Sequence, residues 1–114
     1  MNISSTAGEN KNVRMASYVS SKAAVNHLTR SITFDLGPRK IPVNAIAPGA
    51  IRTPALARIL TPEIERNMLK HKPLGRLGEP GDAANAALCL CSPTAAWISV
   101  QALTVSGGGN QELD

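Results

Sequence analysis

Residues 17–49 read SYVSSKAAVNHLTRSITFDLGPRKIPVNAIAPG, and the succession of patterns in that stretch decides the fold. Val25, Leu28, Ile32 and Leu36 recur at helical spacing, which predicts a helix from about Ser17 to Leu36. Ala23 and Ala24, with Ala87 further along, are the small residues expected to allow close packing. Gly37-Pro38 stops the helix in the usual order, a residue tolerant of positive φ and then one that cannot continue. Residues 41–47, IPVNAIA, form a short β-branched apolar run suited to a strand buried on both faces. Pro42 lacks a donor and fits only an irregular entry to that strand, which Pro48-Gly49 ends.

Upstream, residues 2–5 (NISS) read as the end of a strand entering a polar loop over 7–14. Downstream, a loop runs through Ile51, Arg52, Thr53 and Pro54. Thr61-Pro62-Glu63 starts a helix with a capping hydroxyl, a proline in the first turn and an acid at the positive end of the dipole. That helix runs to about Lys70, and Pro73 closes it. Pro80 and Asp82 open another over Ala83–Cys91, ended by Ser92-Pro93, and residues 101–105 (QALTV) are a last strand running into Ser106-Gly107-Gly108-Gly109. The order β–α–β–(α)–α–β predicts an α/β fold with parallel strands covered by helices.

A chain of 114 residues is one domain or a piece of one. With 43% hydrophobic and 18% charged residues its composition is globular. No apolar run is long enough for a membrane span, and MNISSTAGEN lacks the basic-then-apolar layout of a secretion signal, so a cytoplasmic location is expected. The net charge of +4 arises from cations spread between Lys11 and Arg76 without a cluster or interleaved aromatics, which argues against nucleic-acid binding. Cys89 and Cys91 lack the CxxC spacing of redox or zinc chemistry and are expected to be buried free thiols; His27 and His71 have no partner at ligand spacing, so no metal is expected. Only Tyr18, Phe34 and Trp97 are aromatic, so the core must rest on Ala, Val, Leu and Ile.

The chemistry concentrates in three residues. Tyr18 and Lys22 lie four apart at the start of the long helix and project from one face. A nearby ammonium favours the phenolate form, which makes a tyrosine usable as a general acid or base near neutral pH. Ser5, at the end of the preceding strand, can return to the same spot and hydrogen-bond a substrate oxygen. On pattern alone, a surface helix with a solvated lysine is an equal reading.

Ser5, Tyr18-Val-Ser-Ser-Lys22-Ala-Ala, Val43-Asn44-Ala-Ile-Ala-Pro48-Gly49 with Thr53, Arg76-Leu-Gly-Glu-Pro80 and Leu103-Thr-Val-Ser-Gly107-Gly108 stand in order along the chain. Together they resemble the C-terminal part of a short-chain dehydrogenase/reductase, over essentially all 114 residues. Within that family, GENKNVRMASYVSSKAA, TPEIERNMLKHKPLGRLGEP and SGGGNQELD are most similar to the bacterial hydroxysteroid dehydrogenases that act at the C7 hydroxyl of bile acids. The resemblance implies residues 1–114 as the C-terminal portion of a single doubly wound, Rossmann-like domain.

It also implies roles. Tyr18 would be the catalytic acid/base, Lys22 would assist it and hold the nicotinamide ribose hydroxyls, and Ser5 would fix the substrate hydroxyl or carbonyl. Pro48, Gly49, Ile51, Arg52 and Thr53 would line the nicotinamide side, and Asn10 would contact a steroid, against an equal reading as a turn-forming asparagine. The helix Pro62–Lys70 would belong to a lid over the substrate, or be a plain surface helix. The implied cofactor is NAD, the implied substrate a steroid or other secondary alcohol, and the implied assembly a homotetramer.

Departures from the family pattern are equally definite. The sequence holds no glycine-rich turn between a strand and a helix, the element that receives the cofactor pyrophosphate. Val100 stands where relatives usually carry glycine, which strains the turn if positive φ is needed there, and Pro42 replaces a common arginine. Two functions follow: a hydroxysteroid oxidoreductase represented by its C-terminal half, expected to be inactive as the isolated chain, or a non-enzymatic remnant that binds intact subunits. An open hydrophobic edge on the first strand would favour self-association.

Overall fold

The computed structural model describes residues 1–10 and 14–109. The middle of the loop after Ser5 and the end of the SGGGNQELD stretch lie outside the described residues. Three parallel strands are present among them: β1 (Asn2–Ile3), β2 (Ala45–Pro48) and β3 (Ala102–Val105), in the order β1-β2-β3. Asn2 is opposite Ala45 and Ile3 opposite Ile46, while Ala45 through Pro48 face Ala102 through Val105.

The connections are helical: α1 (Ala16–Leu36) between β1 and β2, then α2 (Pro54–Ala57), α3 (Pro62–Leu69) and α4 (Pro80–Leu90) between β2 and β3. α1 packs against β1 and β2, and α4 against β2 and β3. Ala45, Ile46 and Ala47 are all buried, so both faces of β2 are covered. The remaining core is Ala7, Val43, Leu77, Leu90 and Ala95, so the aliphatic core expected from composition is what forms. All three aromatics lie at the surface, with Trp97 fully exposed. The chain exposes 7757 Å², against roughly 5,900 Å² for a compact monomer of this mass. No helix among the described residues is long and apolar enough to cross a membrane.

The starts of α3 and α4 follow the capping chemistry of the sequence, whereas α1 begins after Met15 with no side-chain cap. Thr61 Oγ1 accepts from Ile64 N at 3.2 Å, and Glu79 and Asp82 form a reciprocal box around Pro80. The residues taken as loop after Ile51 contain one further turn of helix, α2, capped by Thr53.

Several expectations are corrected. The buried stripe of α1 centres on Asn26 and Thr29, whereas Leu28 is 52% exposed. Thr29 can be buried because its hydroxyl donates to Val25 O and accepts from Asn2 Nδ2. Ala23 and Ala24 face solvent; the close approach to α1 comes from Gly8, where a Cβ would stand 2.9 Å from the Lys22 carbonyl carbon. Gly37 keeps right-handed φ of −53°, and Lys40 takes the left-handed position at the end of the following 3-10 turn. Cys89 and Cys91 are exposed, because α4 turns Leu90 inward and its neighbours outward.

Val100 has φ of +70°, so the valine in place of glycine does occupy a left-handed turn position. The turn is pinned on both sides. Val100 N donates to Val43 O at 2.8 Å, Asn44 Nδ2 donates to Ile98 O, and Gln101 N donates to Asn44 Oδ1. Ser99 Oγ accepts from Val43 N at 3.0 Å.

Candidate active site

The end of β1 and the first turns of α1 are held together by three contacts. Ser4 Oγ donates to Lys22 O at 3.2 Å, Lys22 Nζ donates to Ile3 O at 3.2 Å, and Gly8 backs onto the Lys22–Ala23 peptide. Ser5 follows directly. Its extended backbone caps the Thr6–Gly8 turn, and its Oγ accepts from Ala7 N at 3.1 Å, leaving the hydroxyl proton to donate elsewhere.

Tyr18 and Lys22 share the face of α1 next to that turn, with Nζ 5.7 Å from the centre of the phenol ring. Tyr18 is 41% exposed, and its ring opens into a cavity of about 700 Å³. Ser5, Asn10, Tyr18, Gly49 and Ile51 all line that cavity. Leu56, Ile59 and Met68 supply an aliphatic wall from α2, the residues after it and α3, so α3 does border the space beside Tyr18. A phenol and a hydroxyl thus line one largely apolar space, with the Lys22 ammonium beside the phenol ring, a set able to bind an alcohol and move its proton.

The remaining expected residues are placed differently. Pro48 ends β2, and Gly49 N continues the ladder to Val105 O at 2.9 Å. A Cβ on Gly49 would lie 2.9 Å from Ser106 Cβ, so glycine is required there by close approach. Thr53 Oγ1 accepts from Leu56 N as the cap of α2 and is not part of the cavity wall. Arg52 turns away, its guanidinium 2.6 Å from Glu65 and 3.4 Å from Glu79. This ties the segment after β2 to α3 and to the start of α4. Arg76 grips Asp82 through two nitrogens, at 2.7 and 3.0 Å, which with the Glu79 amide lowers the Asp82 carboxyl from 3.8 to about 2.

Sequence reasoning missed Ser4, Gly8 and Lys72. A buried serine beside a strand and a glycine with ordinary φ carry no local signature. Lys72 sits just beyond α3, 9% exposed, and lines the cavity. Burial pushes its ammonium below the ordinary lysine value.

The profile of a family described as enoyl-(acyl carrier protein) reductase matches residues 1–110. The 7α-hydroxysteroid dehydrogenase of Escherichia coli K12 is 62% identical over 114 residues, all of this chain and 45% of that protein. A 3-oxoacyl-(acyl-carrier-protein) reductase of Aquifex aeolicus is 41% identical over 108 residues, 95% of this chain and 43% of that one. A solved structure of 7α-hydroxysteroid dehydrogenase in complex with NADH and 7-oxo glycochenodeoxycholic acid superposes with a TM-score of 0.91 at 63% identity, covering 98% of this chain and 44% of that one. The chain spans less than half the length of the relatives it matches.

Proposed function

The chain belongs to the short-chain dehydrogenase/reductase family, and we propose from that membership that residues 1–114 are the C-terminal, catalytic portion of a hydroxysteroid oxidoreductase domain. The observation that supports this reading is the meeting of Ser5 and Tyr18 on one apolar cavity, with Lys22 beside the phenol. Identity of 62% to a 7α-hydroxysteroid dehydrogenase, against 41% to an acyl-carrier-protein reductase, favours a steroid over an acyl carrier substrate.

In this mechanism Ser5 Oγ donates to the substrate oxygen and sets its position against Tyr18. Tyr18 Oη takes the hydroxyl proton in oxidation and returns it in reduction. Lys22 places positive charge opposite the developing phenolate. A bound nicotinamide would supply the hydride acceptor and donor for the carbinol carbon. The residues present fit only that end of the cofactor. Lys22 would hold the ribose, and the Gly49–Thr53 segment would meet the ring side, its cavity-lining members being Gly49 and Ile51. No glycine-rich turn leading into a helix exists in the sequence for the pyrophosphate. The isolated chain is therefore proposed to hold catalytic groups without binding NAD productively.

The test is NADH binding and cholate oxidation by the 114-residue chain, alone and joined to the part of the Escherichia coli relative that it does not match. Oxidation by the joined protein, lost in Tyr18→Phe, is the expected result. A joined protein that folds and binds NADH but oxidises no steroid alcohol overturns the reading. The open edge of β1, where Ile3 is 52% exposed, favours a second one, in which the chain binds intact subunits without catalysis. Co-sedimentation with the Escherichia coli enzyme, and no activity in the joined protein, would establish it.

A further inference from the structure

Lys72 has no role in the mechanism above, yet it is the most deeply buried cation among the described residues. Its ammonium sits between the ends of two strands. Nζ donates to Ser106 O at 3.2 Å beyond β3, and a Cβ built on Gly49 beyond β2 would be 3.5 Å away. A Cβ on Gly109 would stand 2.7 Å from Lys72 Cγ and 3.0 Å from Nζ, so the bare backbone there leaves the space that the lysine side chain occupies.

An ammonium carries three donors. Among the described residues no carboxylate forms an ion pair with it, in contrast to Arg52 and Arg76, which both have acidic partners. A cation out of water without a counter-ion is unfavourable, and an anion brought into the same space offsets that cost. Lys72 lines the cavity that also holds Ser5 and Tyr18, whose remaining wall is largely aliphatic. A ligand matching this surface has an apolar body, an alcohol or ketone at one position and an anionic group at another.

We propose that Lys72 is a specificity-determining residue that receives a carboxylate of the substrate, so that the cavity selects anionic over neutral steroid alcohols. The proposal rests on the steroid reading of this cavity. Lys72 acts on binding and takes no part in proton transfer.

Calorimetric titration of the 114-residue chain with cholate, and with the alcohol obtained by reducing its side-chain carboxylate, tests the idea. A charge-assisted hydrogen bond predicts cholate binding at least about tenfold tighter than the alcohol. In Lys72→Met the two ligands bind equally, with Lys72→Gln as a second neutral variant should the first not fold, and Lys72→Arg keeps the preference. Equal binding by the unmodified chain, or a preference that survives in the neutral variant, overturns the proposal and leaves the steroid reading standing. Binding of neither ligand by the unmodified chain overturns the proposal, whereas the steroid reading is decided by the joined protein.

Discussion

Lys22 Nζ donates to the carbonyl oxygen of Ile3 at 3.2 Å, so the end of the edge strand holds the lysine that stands beside Tyr18. Position and chemistry are coupled at this point. In the protein joined to the missing part of its relative, Tyr18→Phe is expected to lower kcat for cholate oxidation by about 10²–10⁴-fold. Lys22→Met should lower turnover and also weaken NADH binding. Steady-state kinetics and NADH fluorescence measure both.

Gly8 touches the same peptide from the other side. Its substitution by alanine puts a Cβ 2.9 Å from the Lys22 carbonyl carbon, and neither backbone can yield cheaply. Gly8→Ala is expected to destabilise the fold by about 1–3 kcal/mol. Thermal unfolding followed by circular dichroism gives the value; an unchanged Tm would show that the turn relaxes freely.

Val100 pays a conformational penalty at φ of +70° while being 38% exposed, so little packing depends on its side chain. Val100→Gly removes the penalty but adds backbone entropy to the unfolded chain. The net expectation is a gain of about 0.5–1 kcal/mol, seen as a Tm higher by a few degrees.

Asp82 titrates at about 2 in the folded chain instead of its ordinary 3.8, first because of the Arg76 hydrogen bonds and then because of the Glu79 amide. A depressed folded value means the contribution is complete above the unfolded value and is lost as pH falls through the folded one. Stability should therefore decline between about pH 4 and pH 2. Asp82→Asn should flatten that part of the Tm–pH curve, and an unaltered slope would contradict the assignment.

β1 pairs with β2 on one side only, and Ile3 and Met1 remain open. Unpaired edges with apolar side chains associate. The isolated chain is expected to form concentration-dependent oligomers in sedimentation velocity, and Ile3→Lys should shift the distribution toward monomer.

Much of the architecture was legible because it rests on local signals. Thr61-Pro62, and Pro80 with Asp82, mark helix starts whatever surrounds them, and residues 41–47 are a β-branched apolar run too short for a helix. The stripe of α1 misled because hydrophobicity alone ranked Leu28 above Thr29, while a satisfied hydroxyl can be buried at no such cost. The motif residues Ser5 and Tyr18 were visible as a pattern. Ser4, Gly8 and Lys72 were not, because their positions depend on where β1 and the end of β3 lie relative to the helices.

Turns are usually where a chain tolerates insertion. The one before β3 is different, since Asn44 and Ser99 stitch it side chain to backbone across from β2. One added residue between Ile98 and Gln101 would break this stitching and reverse which side chains of β3 face inward. The length of this short segment is thus as constrained as any buried side chain, and lengthening by natural or designed change belongs instead in the segment between α2 and α3.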